Sequence, residues 1–262
     1  MTQKSRGILL VVLVVALLVV VSSRISPERA YAPSRVTTTD DPYQTVVETP
    51  QPEIIPQATP EPVVSVHEVL PDVTVNDWNL KLVNNTYVLP NTFAPSVSEL
   101  GGGQYFDSRA VDALNAMIAG AEEAGYTVYI SNAYRPYSTQ AYIFFGRASQ
   151  IQWGTDMEMI EAEAIARESV AYPGTSEHQL GLAVDLMDSA DTTMDSQTAK
   201  DIPVLQWLTE NCAEYGFILR YPENKQEITG WYEPWHFRYV GEDCAAYIME
   251  NDLCLEEFIS MF

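Results

Sequence analysis

The chain has 262 residues, with 36 Asp and Glu against 14 Lys and Arg, a formal net charge of -22. Phosphate contacts require Lys and Arg, so this balance argues against a nucleic-acid partner. With 47% apolar and 11% aromatic residues there is enough apolar surface for a sizeable core, and three cysteines, all beyond position 211, exclude a disulfide-dense scaffold.

Lys4 and Arg6 precede an unbroken apolar run from Ile8 to Val21, followed by Ser22, Ser23 and Arg24. The run is short for a spanning helix of ~20 residues, but positive charge followed by an apolar segment suits export. Residues 1–24 are therefore read as a signal peptide, or as a membrane anchor with Lys4 and Arg6 inside if uncleaved. Residues 25–76 form a second region, in which nine of the 16 prolines fall between Pro27 and Pro71. Proline fixes its own torsion and lacks a backbone donor, so this stretch reads as an extended, semi-rigid linker. His67 lies in it and is given no role.

Residues 77–262 carry the punctuation of a compact domain. Asp107 is placed to cap a helix with Val111, Leu114, Met117, Ile118 and Ala121 at helical spacing, ended by Gly125. Tyr126 to Ser131 alternates and is rich in Tyr, Val and Ile, as a strand requires. Helices are expected over Ser138–Trp153 and Asp156–Ala171, with Pro173 and Gly174 closing the second. Leu180 to Leu186 predicts a strand with Leu180, Leu182, Val184 and Leu186 on one face and Gly181, Ala183 and Asp185 on the other. Asp201 is expected to cap a helix burying Val204, Leu205, Leu208 and Cys212, with Gly216 beyond its end. Phe217–Arg220 and His236–Val240 read as strands, and a helical tail starts at Glu242. This irregular mixture predicts an α+β fold, a small antiparallel sheet with flanking helices.

Two of the three histidines sit beside carboxylates. One segment is Ser176-Glu177-His178-Gln179-Leu180-Gly181-Leu182-Ala183-Val184-Asp185, and the other is Glu233-Pro234-Trp235-His236-Phe237-Arg238-Tyr239. Asp185 shares its strand face with Gly181 and Ala183, which leaves space before the carboxylate. His178 precedes the alternation, where a turn can aim its ring at that face. Two imidazoles and one carboxylate can supply three ligands of a mononuclear zinc site with a fourth position for water, the alternative being two unrelated buried histidines and an Asp185 that caps a turn. Glu233, three residues before His236, is then a general base for that water. The spacing is not that of the common H-E-x-x-H zinc proteases.

Three blocks give a more specific indication: Ser131 through Gln140, Pro173 through Asp185, and Gly216-Phe217-Ile218-Leu219-Arg220-Tyr221-Pro222 through Gly241. They resemble the VanY-type D-alanyl-D-alanine carboxypeptidases, zinc peptidases of bacterial cell walls, and the resemblance runs from about Asp77 to Phe262. It implies Zn2+ held by His178, Asp185 and His236, with Glu233 as catalytic base. Arg135 would hold substrate or stabilise the oxyanion, and Gln140 and Ser176 would lie in the substrate site. Pro136 stands where the family often has serine. The implied substrate is a peptidoglycan stem peptide losing its C-terminal D-alanine, with D,D- and L,D-specificity both open, at an extracytoplasmic site.

Other chemistries fare worse. A serine acyl-enzyme of the S-x-x-K type is closed, because none of the four lysines has a serine three residues before it. Cys212, Cys244 and Cys254 fall on an apolar helix face or in the tail, as buried thiols or one disulfide plus an odd cysteine. The competing reading is a non-catalytic, zinc-stabilised wall-binding or signalling module.

Overall fold

In the computed structural model of the protein, the described residues are 69–262. The export segment, most of the linker and His67 lie outside them. The described chain is α+β. A hairpin of β1 (Val97–Gly101) and β2 (Gln104–Asp107) leads into α1 (Val111–Glu123) and β3 (Val128–Asn132). Helices α2 (Tyr137–Gln152) and α3 (Met159–Ala166) form a packed pair, and a 3-10 turn at Glu177–Leu180 delivers the chain to β4 (Ala183–Asp188). After α4 (Ser196–Ala199) and α5 (Pro203–Asn211) come β5 (Phe217–Tyr221), α6 (Gln226–Thr229) and β6 (Glu233–Tyr239). The tail is α7 (Glu242–Glu250) and α8 (Leu255–Ile259).

The main sheet has the order β3-β4-β6-β5, antiparallel throughout. Its central strands alternate apolar and polar residues, so the sheet separates two environments. Val184, Leu186, Trp235, Phe237 and Phe217 join Leu114 and Met117 of α1 and Leu205 and Leu208 of α5 in the largest core cluster. Each such side chain, fully buried, contributes about 1.5–3 kcal/mol. Residues of the opposite alternation, Asp185, His236, Arg238 and Arg220, are buried as well. A second cluster, with Leu80, Ile218, Val240, Ile248 and Phe258, packs the C-terminal helices, and Leu70 and Val73 lie against it.

Several element ends differ from the sequence reading. Asp107 does not cap α1: its carboxylate accepts from the Arg109 backbone and guanidinium at 2.6–3.0 Å, and Ala110 stands at the N-cap. Asp201 does not cap α5, which starts from Ile202 with Pro203 in its first turn. The second predicted helix shrinks to α3, opened by a capping box between Glu158 and Glu161. The strand expected from Leu180 starts only at Ala183, because Leu180 still belongs to the 3-10 turn and Gly181 closes it in the left-handed region at φ +74°. The β1–β2 hairpin is absent from the sequence reading, although Gly101-Gly102-Gly103 between short strand-like runs is a turn signal. All three cysteines are free and buried.

Candidate metal centre

Strand register does most of the assembly. Asp185 in β4 pairs with Asn132 in β3 on one side and with His236 in β6 on the other. Glu233 opens β6 opposite Tyr221 of β5, beyond the last β4–β6 pair, where the missing N–H of Pro234 breaks no β4–β6 ladder bond. His178 comes from the 3-10 turn. Gly181 makes this turn possible, since a side chain there would be strained at positive φ and would press on Pro95. The turn is tied to the loop after β3: the Arg135 amide donates to the His178 carbonyl at 3.1 Å.

The ligand atoms of His178, Asp185 and His236 lie within 4.8 Å of one another, and all three residues are buried. His178 Nδ1 is 2.7 Å from the Ala133 carbonyl, which only accepts, so Nδ1 carries the hydrogen and Nε2 presents a lone pair. That Nε2 faces Asp185 Oδ2 at 3.3 Å, one acceptor against another. His236 Nδ1 lies 3.1 Å from Asp185 Oδ1, which has no hydrogen-bond partner among the described residues. Electron pairs converging in a buried space fit a cation such as zinc, and the donor set suits it. Asn132 Nδ2 donates to Asp185 Oδ2 at 3.1 Å and fixes the carboxylate.

Protonation in the metal-free protein follows from these contacts. Burial, helped by the Arg135 charge, lowers His178 to about 4. Burial alone would raise Asp185, but the two histidines outweigh it and hold the carboxyl well below the usual range. Burial would lower His236, yet the adjacent Asp185 and Glu177 carboxylates favour its charged form and raise it to about 9. Glu233 is pushed up to about 7, first by burial and then by the Asp185 and Glu177 charges, against the pull of His236 and Arg135. Its Oε2 is 3.5 Å from His236 Nδ1 and its side chain is 25% exposed at the cleft.

The cluster forms one wall of a cleft of about 300 Å³ that Arg135, Gln140, Ser176 and Tyr221 also line. Arg135 Nη2 reaches Ser176 Oγ at 3.5 Å while its Nε has no partner among the described residues. Gln140 donates to the Ala171 carbonyl at 2.7 Å and leaves Oε1 unpaired. All seven residues singled out from the sequence thus line one cleft. Three neighbours were missed: Asn132, Glu177 and Tyr221, whose ring centroid is 4.8 Å from that of His236. Each stands inside one of the three sequence blocks, but only pairing across strands reveals what it touches.

A buried cluster of two histidines and an aspartate, a carboxyl poised near neutrality and an arginine beside a solvent-open cleft are what a mononuclear metallohydrolase requires. The profile of the VanY family, described as D-alanyl-D-alanine carboxypeptidase, matches residues 103–242. A D-alanyl-D-alanine carboxypeptidase of Enterococcus faecalis is 36% identical over 185 residues, 70% of this chain and 66% of that relative's length. Among solved structures, a mutant of a vancomycin-resistance D,D-pentapeptidase VanY in complex with Zn(II) is 36% identical. It aligns with TM-score 0.61 over 70% of this chain and 99% of its own. The LdcB LD-carboxypeptidase is 37% identical, with TM-score 0.59 over 68% of this chain and 84% of its own. The chain belongs to the VanY family of D-alanyl-D-alanine carboxypeptidases.

Proposed function

We propose that this protein is a zinc-dependent carboxypeptidase that removes the C-terminal D-alanine from peptidoglycan stem peptides, with D,D- or L,D-specificity. The observation that carries this reading is the convergence of His178, Asp185 and His236 within 4.8 Å, with Glu233 3.5 Å from His236 Nδ1 and Arg135 lining the same cleft. His178 would hold the ion through Nε2 and His236 through Nδ1, with Asp185 completing the protein ligands. Bound zinc supplies Lewis acidity, lowering the pKa of water and polarising a carbonyl.

The remaining work belongs to the chain. Glu233, with a pKa near 7 before metal binds, is suited to take a proton from the attacking water and return it to the leaving amine. Arg135 carries an unpaired N–H and a fixed charge into the cleft, positioned for the developing oxyanion or the peptide's carboxylate. Gln140 Oε1 and Ser176 Oγ offer polar contacts to the substrate backbone. Wall peptides place the reaction outside the cytoplasm, which agrees with residues 1–24 as an export signal or membrane anchor and residues 25–76 as a linker to the catalytic domain of 77–262.

The test is release of D-alanine from synthetic tetra- and pentapeptide stems, with products identified by mass spectrometry, with and without a chelator. Zinc-dependent release is expected. No release at any zinc level, with wall binding retained, would instead identify a non-catalytic binding module.

A further inference from the structure

We propose that Glu177 is a positioning residue for His236: its carboxylate accepts the Nε2 hydrogen of the ring and so presents Nδ1 to the metal. The inference rests on the metal-site reading above. Glu177 is fully buried one residue before His178, and its two oxygens are in different situations. Oε1 is shared by Arg220 Nε at 2.9 Å and Arg238 Nη1 at 2.7 Å. Oε2 has no partner among the described residues, and neither has His236 Nε2. These two unpartnered buried atoms are 3.8 Å apart. A closure of under about 1 Å would satisfy both, since N–H···O bonds settle near 2.9 Å.

The surroundings leave Glu177 little freedom to do anything else. Arg220 is held in a bidentate pair with Glu256 of α8 at 2.7 and 2.8 Å. Arg238 donates to the carbonyls of Asn79, Lys81 and Tyr239. Both guanidiniums are thus anchored by other partners, and they clamp Oε1 so that Oε2 turns toward the imidazole. A hydrogen bond from the non-ligating nitrogen fixes tautomer and ring orientation, and its loss typically weakens a metal site by about 10–100-fold. His178 has the equivalent support from the Ala133 carbonyl at 2.7 Å.

The test uses the full-length protein. Glu177→Gln can keep the contacts to both arginines through its oxygen, but it offers His236 Nε2 a donor instead of an acceptor. Zinc affinity by chelator competition is expected to fall by about 10–100-fold, with a changed visible spectrum of the cobalt-substituted form. In NMR of the zinc-bound protein, the His236 Nε2–H signal should lose the downfield shift of a proton hydrogen-bonded to a carboxylate. Glu177→Asp, which keeps the charge but draws the carboxylate back, serves if the amide variant fails to fold, and a smaller loss in the same direction is expected. Glu256→Gln loosens the same charge cluster without touching His236. It should lower the thermal midpoint and leave zinc affinity and the His236 signature unchanged.

Parental zinc affinity and NMR signature in a folded Glu177→Gln protein, or in Glu177→Asp if only that one folds, would overturn the proposal. An equal zinc loss in Glu256→Gln would reduce Glu177 to a structural part of the cluster and overturn it as well. If the parent bound no zinc at all, the metal-site reading would fail first, a result distinct from either.

Discussion

Glu233→Gln separates the proposed chemistry from the fold. The amide closely matches the shape of the carboxylic acid, so contacts at the head of β6 persist while the proton acceptor is lost. A general acid–base group contributes about 10²–10⁴ in rate, so turnover should fall by that factor, or about 3–5 kcal/mol in barrier. Stability should move the other way. The folded, metal-free protein raises Glu233 from 4.5 to about 7, so it binds this proton more tightly than the unfolded chain does. Its contribution is favourable below about pH 4.5, is lost as pH rises through 7, and leaves a strained charge above that. A shift of this size corresponds to roughly 3 kcal/mol, and screening of the partly exposed group reduces it to ~1–2. Metal-free Glu233→Gln at pH 8 should therefore melt a few degrees higher than the parent, at ~2–4 °C per kcal/mol for a domain this size. D-alanine release and apo-protein calorimetry read the two effects. Release within about threefold of the parent, or a lower midpoint at pH 8, would refute the reasoning.

Metal binding should release protons. At pH 8 the metal-free His236, raised to about 9, still carries its proton, whereas His178, lowered to about 4, does not. Zinc titrations in buffers of differing ionisation enthalpy should report about one proton released at pH 8, diminishing as pH rises through 9; no release would contradict the ligand assignment. Arg135→Ala should cut kcat/KM by about 10²–10³ while zinc content stays parental, and loss of the metal instead would place Arg135 in the wrong role. Arg238→Leu leaves buried Glu177 with Arg220 as its one remaining arginine partner among the described residues and should cost about 3–5 kcal/mol in denaturant unfolding, so a cost under about 1 would argue that the pair is dispensable.

The readable parts of this protein share a property: their information is local. Helical spacing over Val111 to Ala121, the alternation from Tyr126 and the strand-like apolar run at Phe217 found α1, β3 and β5, because burial against a core leaves a local pattern in each. Helix caps were less legible. Asp107 and Asp201 have the right chemistry for a cap, but Arg109 takes the first carboxylate and Pro203 starts α5 from Ile202. Nothing beside Asp107 in the sequence says that β2 will end there and bury it.

From the sequence alone came His178, Asp185, Glu233 and His236, since few structural needs place such residues beside Gly, Ala and Trp, and the three blocks tied them to one family. Tertiary structure decided how they meet. The antiparallel register sets Asp185 against His236, and the 3-10 turn brings His178 to within 3.3 Å of the same carboxylate. It also decided what stands behind these residues. Glu177 meets Arg220 and Arg238 across 43 and 61 residues of chain, a charge cluster that exists only because β5 and β6 are paired over it. Sequence order specifies residue types and short-range spacing, whereas which buried charges become partners depends on strand pairing between segments far apart in the chain.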